Sequence, residues 1–124
     1  MYVYRDNNGK KEFFVLHRKK GDVVVLTGHV EEETLEQAAA REVKEELGVD
    51  PQSILNLGTF ENVVILDKEV ESKEHAFLIE IPNKDVHFLE ADERHQWHSL
   101  QELFKVLTYS NQRQSLAKIA QILE

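Results

Sequence analysis

A chain of 124 residues, 41% of them hydrophobic, can bury one real core and has little length left for a second, so residues 1–124 are expected to form a single domain. The formal charge of −8, from 23 acids against 15 Lys and Arg, argues against general binding to nucleic-acid backbones, which calls for basic faces. The absence of cysteine excludes disulfides, thiolate-bound zinc and a cysteine nucleophile.

No apolar run approaches the ~20 residues of a membrane span, and the opening MYVYRDNNGKKEFF carries no signal-type apolar core. A cytoplasmic protein is expected. Tyr2 to Arg5 and Glu12 to Arg18 are rich in aromatic and β-branched residues, and Asp6-Asn7-Asn8-Gly9 between them is turn chemistry, so the two predict a hairpin. The first strand begins almost at Met1, which suggests a short, exposed sheet edge. Such an edge leaves monomer and homodimer both open. Val23 to Leu26 predicts a short apolar strand leading into a loop through Gly28.

From Thr34, a good N-cap, the period becomes helical. Leu35, Ala39, Val43 and Leu47 recur every four residues, and Gly48 stands where a glycine stops a helix, with Pro51 just beyond. Ile54 to Leu66 and His75 to Ile81 have strand-type composition, joined by a charged connection from Asp67 to Lys73. Two helices are predicted near the end, Leu100 to Leu107 and Asn111 to Leu123, the second with Leu116, Ile119, Ala120 and Leu123 on one face. The order of strands, helix, strands and helices suits an α+β fold, a mixed sheet covered by helices on both faces.

The charge is concentrated in one place. Between Glu31 and Glu46 seven acids face two bases, a local balance of −5. Glu42, Glu45 and Glu46 stand at i, i+3 and i+4, on adjacent turns of one helix face, where like charges repel. Such a cluster reads either as a solvated face or as a set of hard oxygen ligands for Mg²⁺ or Mn²⁺. Charge alone favours the solvated face.

The pattern around those acids decides between the two. Arg41-Glu42-Val43-Lys44-Glu45-Glu46-Leu47-Gly48-Val49 resembles the second half of the Nudix box at every defined position, and Glu33, eight residues before Arg41, matches the family's first glutamate. The first half departs from the family: Gly28 is five residues before Glu33 where the pattern has six, so the loop is one residue shorter, and Leu26-Thr27 precede that glycine.

The resemblance implies a Nudix fold and a metal-dependent pyrophosphohydrolase. By the same resemblance Glu42, Glu45 and Glu46 bind Mg²⁺ or Mn²⁺, Thr27 adds a backbone carbonyl, and Arg41 pairs with Glu33. Asp92 to Trp97 is similar to the family's acidic loop before the C-terminal helix, which makes Glu93 a further ligand or general base, with Glu90 as competitor. Arg18, after an apolar strand, matches a phosphate-contacting position. Gly28-His29-Val30-Glu31 and Leu107 to Arg113 resemble segments of asymmetrical diadenosine tetraphosphate hydrolases, which places His29 and Tyr109 at the substrate, Tyr109 either stacking on adenine or capping the helical layer.

A dinucleoside polyphosphate is therefore the favoured small-molecule substrate. The alternatives are the same chemistry on nucleoside triphosphates, nucleotide sugars or capped RNA, and a Nudix domain that binds nucleotide or protein without turnover. Trp97 reads as core. The six histidines form no tight set, although His95 and His98, three apart, would share a helix face if their loop were helical.

Overall fold

A computed structural model describes residues 1–28, 33–62, 72–84, 86 and 93–123, with the backbone alone at 59–62, 72–74 and 93. The chain opens with β1 (Tyr2–Asn7) and β2 (Lys10–Arg18), joined by Asn8 at φ 54° and Gly9 at φ 90°. Two successive positive φ values are what a tight hairpin of this hand needs, and Asn-Gly supplies them at least cost. Asp6 Oδ1 accepts from the Gly9 amide at 2.8 Å and closes the turn.

After β3 (Val23–Val24) come α1 (Leu35–Leu47), β4 (Ser53–Asn62), β5 (Ser72–Glu80) and β6 (Glu93–His98), then α2 (Leu100–Val106), α3 (Ser110–Gln114) and α4 (Leu116–Leu123). The sheet runs β3-β2-β1-β5-β4, with β6 also bonded to β2. Among the described strands only the β1–β5 pair is parallel, so the sheet is mixed.

Period-two alternation divides the side chains between two cores. Val3, Phe14, Leu16, Phe77 and Ile79 face α1, packing with Ala39, Val43 and Leu47. Their neighbours Tyr2, Tyr4, Phe13, Val15, Ala76 and Leu78 face the other way, onto Leu103 of α2, Leu107, and Leu116 and Ile119 of α4. A strand buried on both faces reads as a continuous apolar run, as Phe13 to Leu16 does. The expected α+β fold, a mixed sheet between helices, is the one observed.

Several boundaries differ from expectation. β3 ends at Val24, because the amide of buried Val25 goes to the side-chain oxygen of Gln112 (3.2 Å) instead of a strand partner. β5 begins at Ser72, so Ser72 and Lys73 of the charged connection are strand, while the rest of that connection, 67–71, and the end of the strand predicted before it, 63–66, lie outside the described residues. Glu93–His98 is a strand paired with β2 along Phe13 to Arg18, not a loop. The last predicted helix breaks at buried Ser115 into α3 and α4, which lets Leu116 and Ile119 turn fully inward. Finally, β1 lies between β2 and β5, so the first strand is interior and not an exposed edge.

Candidate active site

Helix α1 carries the acidic cluster, and its ends are fixed by its sequence. Thr34 accepts from the Gln37 amide (3.2 Å) while the Gln37 side chain accepts from the Thr34 amide (3.1 Å), a reciprocal capping box. Gly48, at φ 72°, closes the other end with its amide on the Lys44 carbonyl. Ala38, Ala39, Val43 and Leu47 are buried, which sets the rotation of the helix. Glu42 consequently lies at the margin of the core, its side chain 14% exposed, whereas Glu45 reaches into solvent at 57%.

One guanidinium ties the cluster together. Arg41 donates to Glu33 Oε1 from Nε (2.9 Å) and Nη2 (2.7 Å), and from Nη1 to Glu42 Oε1 (3.0 Å) and Glu45 Oε2 (3.2 Å). The pairing with Glu33 fastens the approach to α1 onto the helix. The contacts with Glu42 and Glu45 offset the repulsion that their spacing creates.

Gly28 brings the loop against the same carboxylates. A Cβ at this position would lie 2.5 Å from Glu42 Cγ, 2.6 Å from Cδ and 3.0 Å from Oε2, so only glycine allows the backbone to come this close. Thr27, immediately before it, is exposed.

Carboxylate and backbone carbonyl oxygens are the hard donors that Mg²⁺ or Mn²⁺ takes. That chemistry fits a divalent cation at Glu42, Glu45 and Glu46. Among the described residues no three acids close on one point, and Arg41 draws two of these carboxylates toward itself. Cation binding there requires Glu42 and Glu45 to turn away from the guanidinium.

A second cluster forms around Asp22, which sequence reasoning passed over. Asp22 Oδ2 accepts from Tyr109 Oη (2.9 Å) and lies near Arg18 Nη1 (3.5 Å) and Lys20 Nζ (3.7 Å). The structure thus joins two residues singled out separately, Arg18 and Tyr109, through one carboxylate. Burial acts to raise its pKa, but the Tyr109 hydrogen bond and the charges of Arg18 and Lys20 outweigh burial and hold it below the ordinary value. The signal in the sequence was an acid between a basic turn, Arg18-Lys19-Lys20, and an apolar run, Val23 to Leu26.

Tyr109 occupies the N-cap position of α3 without a side-chain cap bond, its hydroxyl being engaged by Asp22. Trp97 packs against the α1-side core, edge-on to Phe14, with the Arg5 guanidinium 3.8 Å over its ring.

Because β6 is a strand, His95 and His98 point to opposite faces and cannot share a ligand in the way a helix would allow. His95 stacks on Phe14 at 5.4 Å, and His98 meets His17 at 5.9 Å on the other side. His29 and Glu90 lie outside the described residues. Glu93 begins β6 with its backbone opposite Arg18.

The model of the NUDIX domain matches residues 1–119. The chain belongs to the Nudix family. As a Nudix hydrolase it is an enzyme of the pyrophosphohydrolase class, built on the α+β Nudix fold.

Among solved structures it is similar to Ap4A hydrolase of C. elegans, at 25% identity over 99% of this chain and 94% of that one with a TM-score of 0.75; in a binary complex of that hydrolase the TM-score is 0.78 over 98% and 93%. The Nudix domain of Shewanella oneidensis NrtR, complexed with ADP ribose, shares the fold at 17% identity, with a TM-score of 0.77 over 99% of this chain and 84% of that one. The dihydroneopterin triphosphate pyrophosphohydrolase of E. coli shares it at 22% identity, with a TM-score of 0.75 over 94% and 90%. No curated protein matches the chain. No helix among the described residues is long and apolar enough to cross a membrane.

Proposed function

We propose that this Nudix enzyme hydrolyses a phosphoanhydride bridge of a dinucleoside polyphosphate, using Mg²⁺ or Mn²⁺ held by Glu42, Glu45 and Glu46. The observation that carries the reading is the meeting of loop and helix: the Gly28 backbone lies against the Glu42 carboxylate while Arg41 fastens Glu33, Glu42 and Glu45. The choice of substrate draws support from the likeness to the C. elegans Ap4A hydrolase across nearly the whole chain.

When bound, divalent cations neutralise charge on the non-bridging oxygens and lower the pKa of water. The rest falls to the chain. Thr27 offers its carbonyl oxygen beside the glutamates. Glu42, Glu45 and Glu46 fix the ions, and a carboxylate, on α1 or at Glu93, takes the proton from the water that attacks phosphorus. One P–O bond forms, the bridging P–O bond breaks, and the electron pair leaves on the departing phosphate. Arg18, His29 and Tyr109 contact the substrate beyond the reacting bridge. Arg41 positions the helix against the loop and does not touch the reacting atoms.

Purified protein with Mg²⁺ or Mn²⁺ is tested against diadenosine polyphosphates, nucleoside triphosphates, nucleotide sugars and capped RNA. Diadenosine tetraphosphate is expected to give the highest kcat/KM. A different preference would refute the substrate assignment, and nucleotide binding with no turnover of any member would refute catalysis. Glu45→Gln is expected to lower turnover about a hundredfold, the scale of losing one preorganised electrostatic contact. Turnover equal to that of the parent would remove Glu45 from the metal site.

A further inference from the structure

We propose that Asp22 is a positioning residue for the nucleoside end of the substrate, its buried carboxylate holding the Tyr109 ring and the Arg18 guanidinium as one contact surface. The proposal rests on the reading of Arg18 and Tyr109 as substrate contacts, and adds what sets their geometry.

The turn that carries Asp22 is closed on itself. The Arg18 amide donates to the Asp22 carbonyl and the Gly21 amide to the Arg18 carbonyl, both at 2.9 Å. The Asp22 side chain is thereby turned inward and is only 6% exposed. Its Oδ2 serves Tyr109, Arg18 and Lys20, while Oδ1 is buried and has no hydrogen-bond partner among the described residues. A buried carboxylate with one oxygen unsatisfied costs stability, so it makes a poor structural device, and such costs concentrate where function holds them. The carboxyl also stays below its ordinary pKa despite burial, so it remains an anion at neutral pH and a fixed anchor for a hydroxyl and a cation.

Tyr109 is built to be held still and seen. The Thr108 amide donates to the Val23 carbonyl (3.0 Å) and Thr108 Oγ1 accepts from the Val23 amide (2.8 Å), which pins the backbone beside it. Arg113 Nη1 adds bonds to the carbonyls of Leu107 (2.6 Å) and Thr108 (3.2 Å). The hydroxyl is tied to Asp22, yet the residue remains 38% exposed. An aromatic ring immobilised in advance loses little entropy when a base stacks on it. Arg18, drawn toward the same carboxylate, supplies a planar cation for the adjoining phosphate.

The distance also suits this division of labour. Gly28 lies six positions after Asp22, and an extended chain of that length spans at most about 22 Å. A nucleoside joined to the reacting bridge through further phosphates can reach from the glutamates to Tyr109.

Asp22→Asn and Tyr109→Phe are compared with the parent in diadenosine tetraphosphate kinetics, in AMP binding by calorimetry and in thermal unfolding. Both variants are expected to raise KM and weaken AMP binding about five- to tenfold, with kcat within about twofold, the pattern of lost binding common to ground and transition states. Tyr109→Phe is expected to lower the melting temperature by only a few degrees, the loss of one hydrogen bond, and to stay folded at the assay temperature, which separates binding from folding. Unchanged KM and AMP affinity in both variants would overturn the proposal, as would a parent that does not bind AMP. Failure of the substrate assignment is read separately, in a parent that binds AMP without hydrolysing diadenosine tetraphosphate, and the AMP measurements still decide the role of Asp22.

Discussion

Replacing Gly28 by alanine places a methyl carbon 2.5 Å from Glu42 Cγ and 2.6 Å from Cδ. Carbon atoms in contact settle at about 3.5–4.0 Å, so loop and side chain must part by about 1 Å. Swinging Glu42 aside moves a largely buried side chain and breaks its hydrogen bond to Arg41. An off-rotamer side chain costs about 0.5–1.5 kcal/mol and a lost hydrogen bond about 1 kcal/mol, for a total near 2 kcal/mol. In a domain of this size that lowers the melting temperature by roughly 6–10 °C. The catalytic loss is expected to be larger, since a 1 Å displacement of a positioned group costs about a hundredfold in rate. Thermal unfolding, together with turnover measured across a Mg²⁺ titration, separates the two effects. A Gly28→Ala enzyme with the parent rate and the parent Mg²⁺ requirement would refute the reasoning that the short loop works by closing on Glu42.

Arg41→Lys replaces a fork bonding three carboxylates by a point charge, and is expected to lower stability by about 1–2 kcal/mol together with turnover; parent values in both assays would show the fork to be dispensable. Gly48→Ala forces an L residue into φ 72° at the end of α1 and is expected to cost about 1 kcal/mol in urea unfolding, with no loss counting against the cap. Burial, then His98 and Arg94, hold the His17 pKa below its ordinary 6.5. The unfolded chain therefore binds this proton first, so the contribution of His17 is present above pH 6.5 and is lost as pH falls through the folded value. The melting temperature is expected to drop between about pH 7.5 and about pH 5, and to drop less in His17→Gln; parallel pH profiles would contradict this.

The parts of the molecule with strong local signals were legible in the sequence. Asn8-Gly9 fixed the hairpin, and Thr34, the four-residue apolar period and Gly48 bounded α1 to the residue. Glu42, Glu45 and Glu46 acquired meaning only through their registry with Arg41, Gly48 and Glu33, since charge and spacing also describe a solvated face. What escaped depends on distant partners. Glu93–His98 has little strand character of its own and is a strand because β2 offers it an edge. Val25 leaves the ladder because Gln112, far along the chain, takes its amide. Asp22 drew no reading from the sequence, because only the arrival of Tyr109 makes it a junction.

The bonds from Val23 and Val25 to Thr108 and Gln112 have a consequence for how the enzyme is made. They join residues 85 and 87 positions apart, so on the ribosome the strand leading to Thr27-Gly28 emerges long before its partners do. Until then the amides of Val23 and Val25 have only water to bond, and the loop that closes on Glu42 hangs from an unfinished edge. The acidic helix draws its caps and period from local contacts, whereas the loop set against it depends on distant ones. A nascent chain can in this way carry its full set of glutamates before the loop that meets them is held in place.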